Sequence, residues 1–178
     1  HFKNNGYTTA GIGKIFDPRG VDNQLDEPSW SIPFLRAYKI PYPKQFGQPK
    51  LGFYQNPEIK AKLNKMIAEN NLKRGKAAKF FNNKYKPPIS NSNAPDEAYT
   101  DGAIAKEAIR LIDRLSSSEN PFFLAVGFKR PHLPFSAPKK YFDLYNPNKI
   151  PIEQFRQRAE NVGDLAYHSS GELQSYSE

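Results

Sequence analysis

One histidine and a handful of cations carry most of the chemistry in this chain. His132 sits between Pro131 and Leu133-Pro134, directly after Lys129-Arg130. It follows Phe122-Phe123-Leu124-Ala125-Val126-Gly127-Phe128, an apolar run of strand length. An imidazole titrates near neutrality and can give or take a proton. Ammonium and guanidinium groups beside it attract anions. A second cation, Lys14, directly follows Tyr7-Thr8-Thr9-Ala10-Gly11-Ile12-Gly13, which is rich in β-formers and small residues. In open α/β sheets, binding and chemistry collect beyond the carboxyl ends of the strands. If the two runs are parallel strands of one sheet, Lys14 and His132 reach the same edge. The alternative for His132 is a loop histidine held by a backbone hydrogen bond, and for Lys14 a surface lysine.

The elements that must position these residues follow from patterning. An apolar run without alternation suits a strand covered on both faces, as in a parallel sheet. Residues 100–115 form the clearest helix, with Ile104, Ala108, Leu111 and Leu115 on one face and Ile109 and Ile112 beside them. Thr100 or Asp101 can cap it. A helix leading into the strand that follows makes an α/β unit. Residues 57–73 read as a second helix, with Pro57 in its first turn. Residues 1–5 end a helix, with Gly6 as its left-handed stop. Between them lies a proline-rich loop, in which Trp30, Phe34, Tyr38, Tyr42 and Phe46 either anchor the chain or offer rings for stacking. Residues 74–95 are basic and rich in Asn, and read as a solvated excursion with little regular structure. A short helix is predicted over 139–144. The tail after Pro151 is mostly loop, with 153–160 as its candidate helix.

Composition bounds the rest. At 178 residues with 13 Phe and 10 Tyr, the chain can bury a sizeable core. Sixteen prolines point to long fixed loops. A formal net charge of +8 favours anionic partners such as nucleic acid, acidic glycans, or phosphate and sulfate esters. The absence of cysteine excludes disulfides, thiolate catalysis and cysteine-ligated metals for this chain. No apolar stretch reaches transmembrane length. The chain opens on His1 and stops without a finished element, as expected of a piece of a larger protein.

Several ordered motifs are similar to one family. Gly6-Tyr7-Thr8-Thr9 through Gly13-Lys14, Tyr99-Thr100-Asp101-Gly102-Ala103-Ile104, Pro121-Phe122-Phe123-Leu124, Pro131-His132-Leu133-Pro134-Phe135 and Ala137-Pro138 resemble the middle of a type I sulfatase. Gly13-Lys14-Ile15-Phe16, Ser29-Trp30-Ser31, Phe128-Lys129-Arg130-Pro131-His132 and Ala166-Tyr167-His168 resemble its iduronate-2-sulfatase-like branch. The resemblance implies part of an alkaline-phosphatase-like α/β sandwich, with a central, mostly parallel sheet flanked by helices. Residues 1–178 would form part of one catalytic domain, with a loop and helix insertion at about 50–95. The implied reaction is hydrolysis of sulfuric esters on sulfated carbohydrate, and the implied setting is periplasmic or secreted. Phosphomonoester or phosphodiester hydrolysis in the same superfamily is the alternative, followed by a non-catalytic polyanion-binding fragment working through the basic stretch 74–86. No nucleic-acid motif or membrane segment is visible.

The family nucleophile is a formylglycine made from Cys or Ser in a Cys/Ser-x-Pro-x-Arg motif, and a calcium ion held by acidic residues lies against the sulfate. Neither motif nor ligand set is expected within this chain, so the isolated piece is expected to be inactive and poorly soluble. By resemblance, Lys14 contacts the sulfate oxygens, and His132 meets the ester or sulfate oxygen and helps the alcohol leave. Lys129 and Arg130 would meet a uronate carboxylate or another sulfate, or else form a solvated basic pair. His168 would line the substrate pocket. The family places a histidine shortly after the signature lysine. Asp17 stands there instead, able to accept a hydrogen bond but unable to supply positive charge.

Overall fold

The structure, a computed structural model, describes residues 1–17, 20, 25–73, 76–82, 84–167 and 171–177. Its centre is a parallel strand pair. β1 (Thr8–Gly13) runs beside β3 (Phe122–Gly127), in a register that matches Thr8 with Phe122 and Gly13 with Gly127. Parallel neighbours need a long crossover, and the intervening chain supplies it with most of the other elements. α3 (Thr100–Ser116) ends that crossover and packs on both strands. Its Ile104, Ala108, Leu111 and Leu115 are buried as the helical spacing predicts, whereas Ile109 and Ile112 remain exposed. Ile12 of β1 joins Ile40, Ala103, Ile104, Ala108 and Leu111 in one cluster, with Leu124 and Val126 of β3 against it. On the other face of β3, Phe123 stacks on Phe2 at 4.3 Å between ring centroids. β3 is only partly covered, not sealed on both faces as predicted: Phe122 and Phe128 are exposed. β1 is its one strand partner among the described residues.

A second parallel pair, β2 (Ile89–Ser92) with β4 (Phe135–Pro138), lies further along the chain. α1 (Pro57–Glu69) begins at Asn56, whose side-chain oxygen accepts from the amides of Glu58 and Ile59 at 3.0 and 3.1 Å. Its Leu63 packs with Tyr54, Ala77 and Phe81 in a separate cluster.

That cluster corrects the reading of residues 74–95. They hold α2 (Ala77–Phe81) and β2, and Phe81 is fully buried. Two of its lysines lie over ring faces, Lys84 Nζ 3.7 Å from the Phe80 ring centroid and Lys86 Nζ 4.1 Å from that of Tyr176, and Lys62 of α1 lies 3.7 Å from the Tyr85 centroid, whereas Lys76 and Lys79 are exposed as predicted. Residues 153–160 are exposed and not helical, so the apolar side of the predicted helix finds no burial; Phe155 is 91% exposed. α4 (Lys139–Phe142) starts where predicted, directly after β4, and stops two residues short of the predicted end at 144. The segment 1–5 ends in a 3₁₀ turn, and Gly6 has the expected left-handed φ of 84°. Trp30 and Phe34 are buried anchors and Tyr42 and Phe46 are half-buried, whereas Tyr38 is exposed. The whole is α/β, short parallel strands flanked by helices, as expected of part of the layered sandwich.

Candidate functional site

β1 and β3 end level with each other, and the chain turns off both into polar loops. Gly13 is what allows this end to close. Its φ is +87°, and a Cβ there would lie 2.1 Å from the Gly127 carbonyl oxygen. The Lys14 amide then donates to that same carbonyl at 2.8 Å. Lys14 is exposed at the edge, level with the start of the 128–135 loop. The expected shared edge is therefore observed.

The 128–135 loop is tied down at several points. The Asp101 carboxylate, in the first turn of α3, accepts from the backbone amides of Lys129 at 2.9 Å and Arg130 at 2.8 Å. Hydrogen bonds to a charged acceptor are the stronger kind. Asp101 is thus not the predicted cap of its own helix. The capping position is Tyr99, with no side-chain cap, and Thr100 donates its hydroxyl to the Gly52 carbonyl at 2.8 Å.

Lys129 lies along the inner side of the loop. Its Nζ sits 4.6 Å from the Phe53 ring centroid and 3.4 Å from the Gly52 carbonyl. Burial pulls its pKa below the ordinary lysine value; Asp101 opposes the shift, and the positive charges of Arg130 and Lys14 add to it. Lys14 and Lys129 therefore stand close enough to repel. The Arg130 guanidinium stacks over Phe53 at 5.4 Å and donates to the carbonyls of His132 and Pro134. Both X–Pro bonds of the loop are cis.

His132 is exposed, with its amide donating to the Lys129 carbonyl at 2.9 Å. Its Nδ1 faces two acceptors, the Leu133 carbonyl at 2.7 Å and Glu172 Oε1 at 3.2 Å. Asp17 is exposed after β1, and its carbonyl closes a turn with the Gly20 amide at 3.0 Å. His168 lies outside the described residues.

Lys14, Lys129, Arg130 and His132 are thus gathered at one edge. Two residues joined to them, Asp101 and Glu172, were not singled out as site residues. Asp101 had a signal, an acid in the first turn of a helix, but that signal reads equally as a cap. Glu172 had none. Clefts of about 790 and 590 Å³ flank the loop, one lined by Arg130 and Asp101 and the other by Lys129. Lys14 and His132 line neither; both are exposed. Among the described residues no group of three His, Asp or Glu converges to hold a metal ion, and no helix is long and apolar enough to cross a membrane.

Comparison with known proteins adds a second line of argument. No family model matches the chain. It is 30% identical over 170 residues to iduronate 2-sulfatase of Mus musculus, and 29% identical over 170 residues to iduronate 2-sulfatase of Homo sapiens. A sulfatase of Formosa agariphila is 30% identical over 168 residues. These matches span 93–94% of this chain and 26% of each relative, so the chain corresponds to about a quarter of their length.

Proposed function

We propose, from the premise that this chain is a segment of the sulfatase family, that the protein containing it hydrolyses sulfate esters on sulfated carbohydrate. The observation that carries this reading is the β1–β3 register. It brings the Lys14 ammonium to the same sheet edge as the loop bearing Lys129, Arg130 and His132. A dianionic or monoanionic oxyanion at that edge would relieve the repulsion among the cations. Asp101 offsets part of the charge on Lys129 and Arg130, and the positive charge that Lys14 adds favours an anionic ligand over a neutral one.

In this reading Lys14 binds the sulfate oxygens through a compact charge with three donors. Lys129 supplies positive potential from behind, and Arg130 does so while fixing the carbonyls beside His132. A second sulfate or a uronate carboxylate of the sugar would meet the same pair. His132 Nε2 faces the bridging ester oxygen and gives it a proton as the alcohol departs. Asp17, where the family carries a histidine, accepts a hydrogen bond in that place. His168 belongs to the substrate rim in the same reading. Formylglycine supplies the nucleophile in such enzymes and calcium neutralises the sulfate. The described residues do not form a site for either, and the chain has no cysteine. In this reading both are supplied by the rest of the longer protein, as the resemblance implies. Residues 1–178 form part of one catalytic domain in this account, with 50–95 an accessory lobe that has its own core around Tyr54, Leu63 and Phe81.

The test is sulfate release by the full-length protein from O-sulfated sugars. Lys14→Ala is expected to lower kcat/KM by about 10²–10³-fold, the effect of removing one preorganised donor to developing negative charge. His132→Ala is expected to lower kcat by about 10²–10⁴-fold. Near-wild-type rates in both variants would overturn the site. Release of phosphate from phosphate esters in place of sulfate would move the protein to the phosphoesterase alternative.

A further inference from the structure

The segment after the described tail turn, residues 171–177, returns to the site edge and is pinned there. The Ser177 amide donates to the Lys86 carbonyl at 3.0 Å, and the Lys86 amide donates to Ser177 Oγ at 2.9 Å. Lys86 Nζ reaches Ser175 Oγ at 3.2 Å and lies 4.1 Å from the Tyr176 ring centroid. Within the segment, Ser175 Oγ donates to the Glu172 carbonyl at 2.8 Å over a 3₁₀ turn, Leu173–Ser175. Glu172 is therefore held in place by its own backbone. Its carboxylate sits 3.2 Å from His132 Nδ1.

Both groups facing Nδ1, the Leu133 carbonyl and the Glu172 carboxylate, can only accept. Nδ1 must then carry a proton, which leaves Nε2 as the nitrogen turned away from these partners. Other charged and titratable groups on the elements packed here are Arg130 and Lys129 of the same loop, Lys86 before β2, Lys14 after β1, Asp101 of α3, and Tyr54 and Tyr176.

We infer that Glu172 is the positioning carboxylate of His132: it fixes the ring with Nδ1 inward and Nε2 outward, where a proton is handed to the departing oxygen. The inference rests on the sulfate-ester reading for its kinetic consequence, but not for its geometry. Proton donation matters for a poor leaving group and hardly at all for a good one. In the full-length protein, Glu172→Gln should lower kcat for a uronate 2-O-sulfate by about 10–100-fold, the usual cost of removing a partner that orients a histidine. With 4-nitrophenyl sulfate, whose leaving group needs no proton, the change should stay within about threefold. Glu172→Asp should recover part of the loss. Equal losses on both substrates, or none on either, would overturn the role.

The second measurement does not depend on activity. The imidazole ¹⁵N shifts of His132 should show the proton on Nδ1 in the neutral form. In Glu172→Gln the preference for that tautomer should weaken. An Nε2–H tautomer in the native chain would overturn the inference even in an active enzyme. An Nδ1–H tautomer lost in Glu172→Gln, in a protein that releases no sulfate, would uphold the pairing and reject the sulfatase reading.

Discussion

Asp101→Asn separates the tie between helix and loop from everything else in the site. In the native chain one carboxylate accepts two backbone amides, from Lys129 at 2.9 Å and Arg130 at 2.8 Å. The carboxamide keeps the shape but has one acceptor, and it turns an N–H₂ donor toward the second amide. A hydrogen bond to a charged group contributes about 1.5–3 kcal/mol. Asp101 is half-buried, so water recovers part of that, and the low end applies to the amide that keeps an oxygen. Each 1.4 kcal/mol is tenfold in an opening equilibrium. Amide hydrogen exchange at Lys129 and Arg130 should therefore accelerate by about 10–100-fold through local opening of the loop. Exchange at Leu111, buried in the middle of the same helix, should stay within about threefold. Unchanged protection at both loop amides would refute the reasoning, because it would mean that another contact holds the loop. Loss of protection along the whole of α3 would refute it too, by showing that the charge stabilises the helix and not the loop.

Other perturbations probe the frame. Gly13→Ala places a Cβ 2.1 Å from the Gly127 carbonyl at a φ of +87°, and should cost at least about 2 kcal/mol in urea unfolding; a neutral result would mean that the two strand ends do not close as described. Phe81→Ala should cost about 3–5 kcal/mol, because it empties the core of the 50–95 lobe, while Leu165→Ala, at a fully exposed position, should stay within about 0.5 kcal/mol. Lys129 has a folded pKa below the ordinary 10.5 because it is buried. Between that lowered value and 10.5 the unfolded chain binds more protons than the folded one, so the contribution of Lys129 to stability rises with pH across that window. Measured against Lys129→Met, wild-type stability should gain as pH climbs toward 10.5; a flat difference would place the ammonium in water.

Much of the fold was legible in the residues themselves. The β1 run, the helix at 100–116 and the apolar run of β3 are local patterns, with periods set by the geometry of each element. Lys14 after one strand and His132 after another could be read off the same way, and with the ordered motifs between them they marked the family. Local pattern failed where burial is supplied from afar. Residues 74–95 look polar, yet Phe81 is buried by α1 and by Tyr54, and Lys84 and Lys86 cover rings. Residues 153–160 carry a helical pattern, yet all of them are exposed. Asp101 and Glu172 belong to the same class. Each is an ordinary acid in sequence, and each acquires its role only because the β1–β3 pairing and the Lys86–Ser177 clip bring distant backbone or a distant imidazole within 3.2 Å of its oxygens. The residue types and their local order determined which elements form and which side chains can do chemistry. Tertiary packing alone decided which charges meet, because Coulomb and hydrogen-bond energies depend on separation in space, and spacing along the chain leaves that separation open.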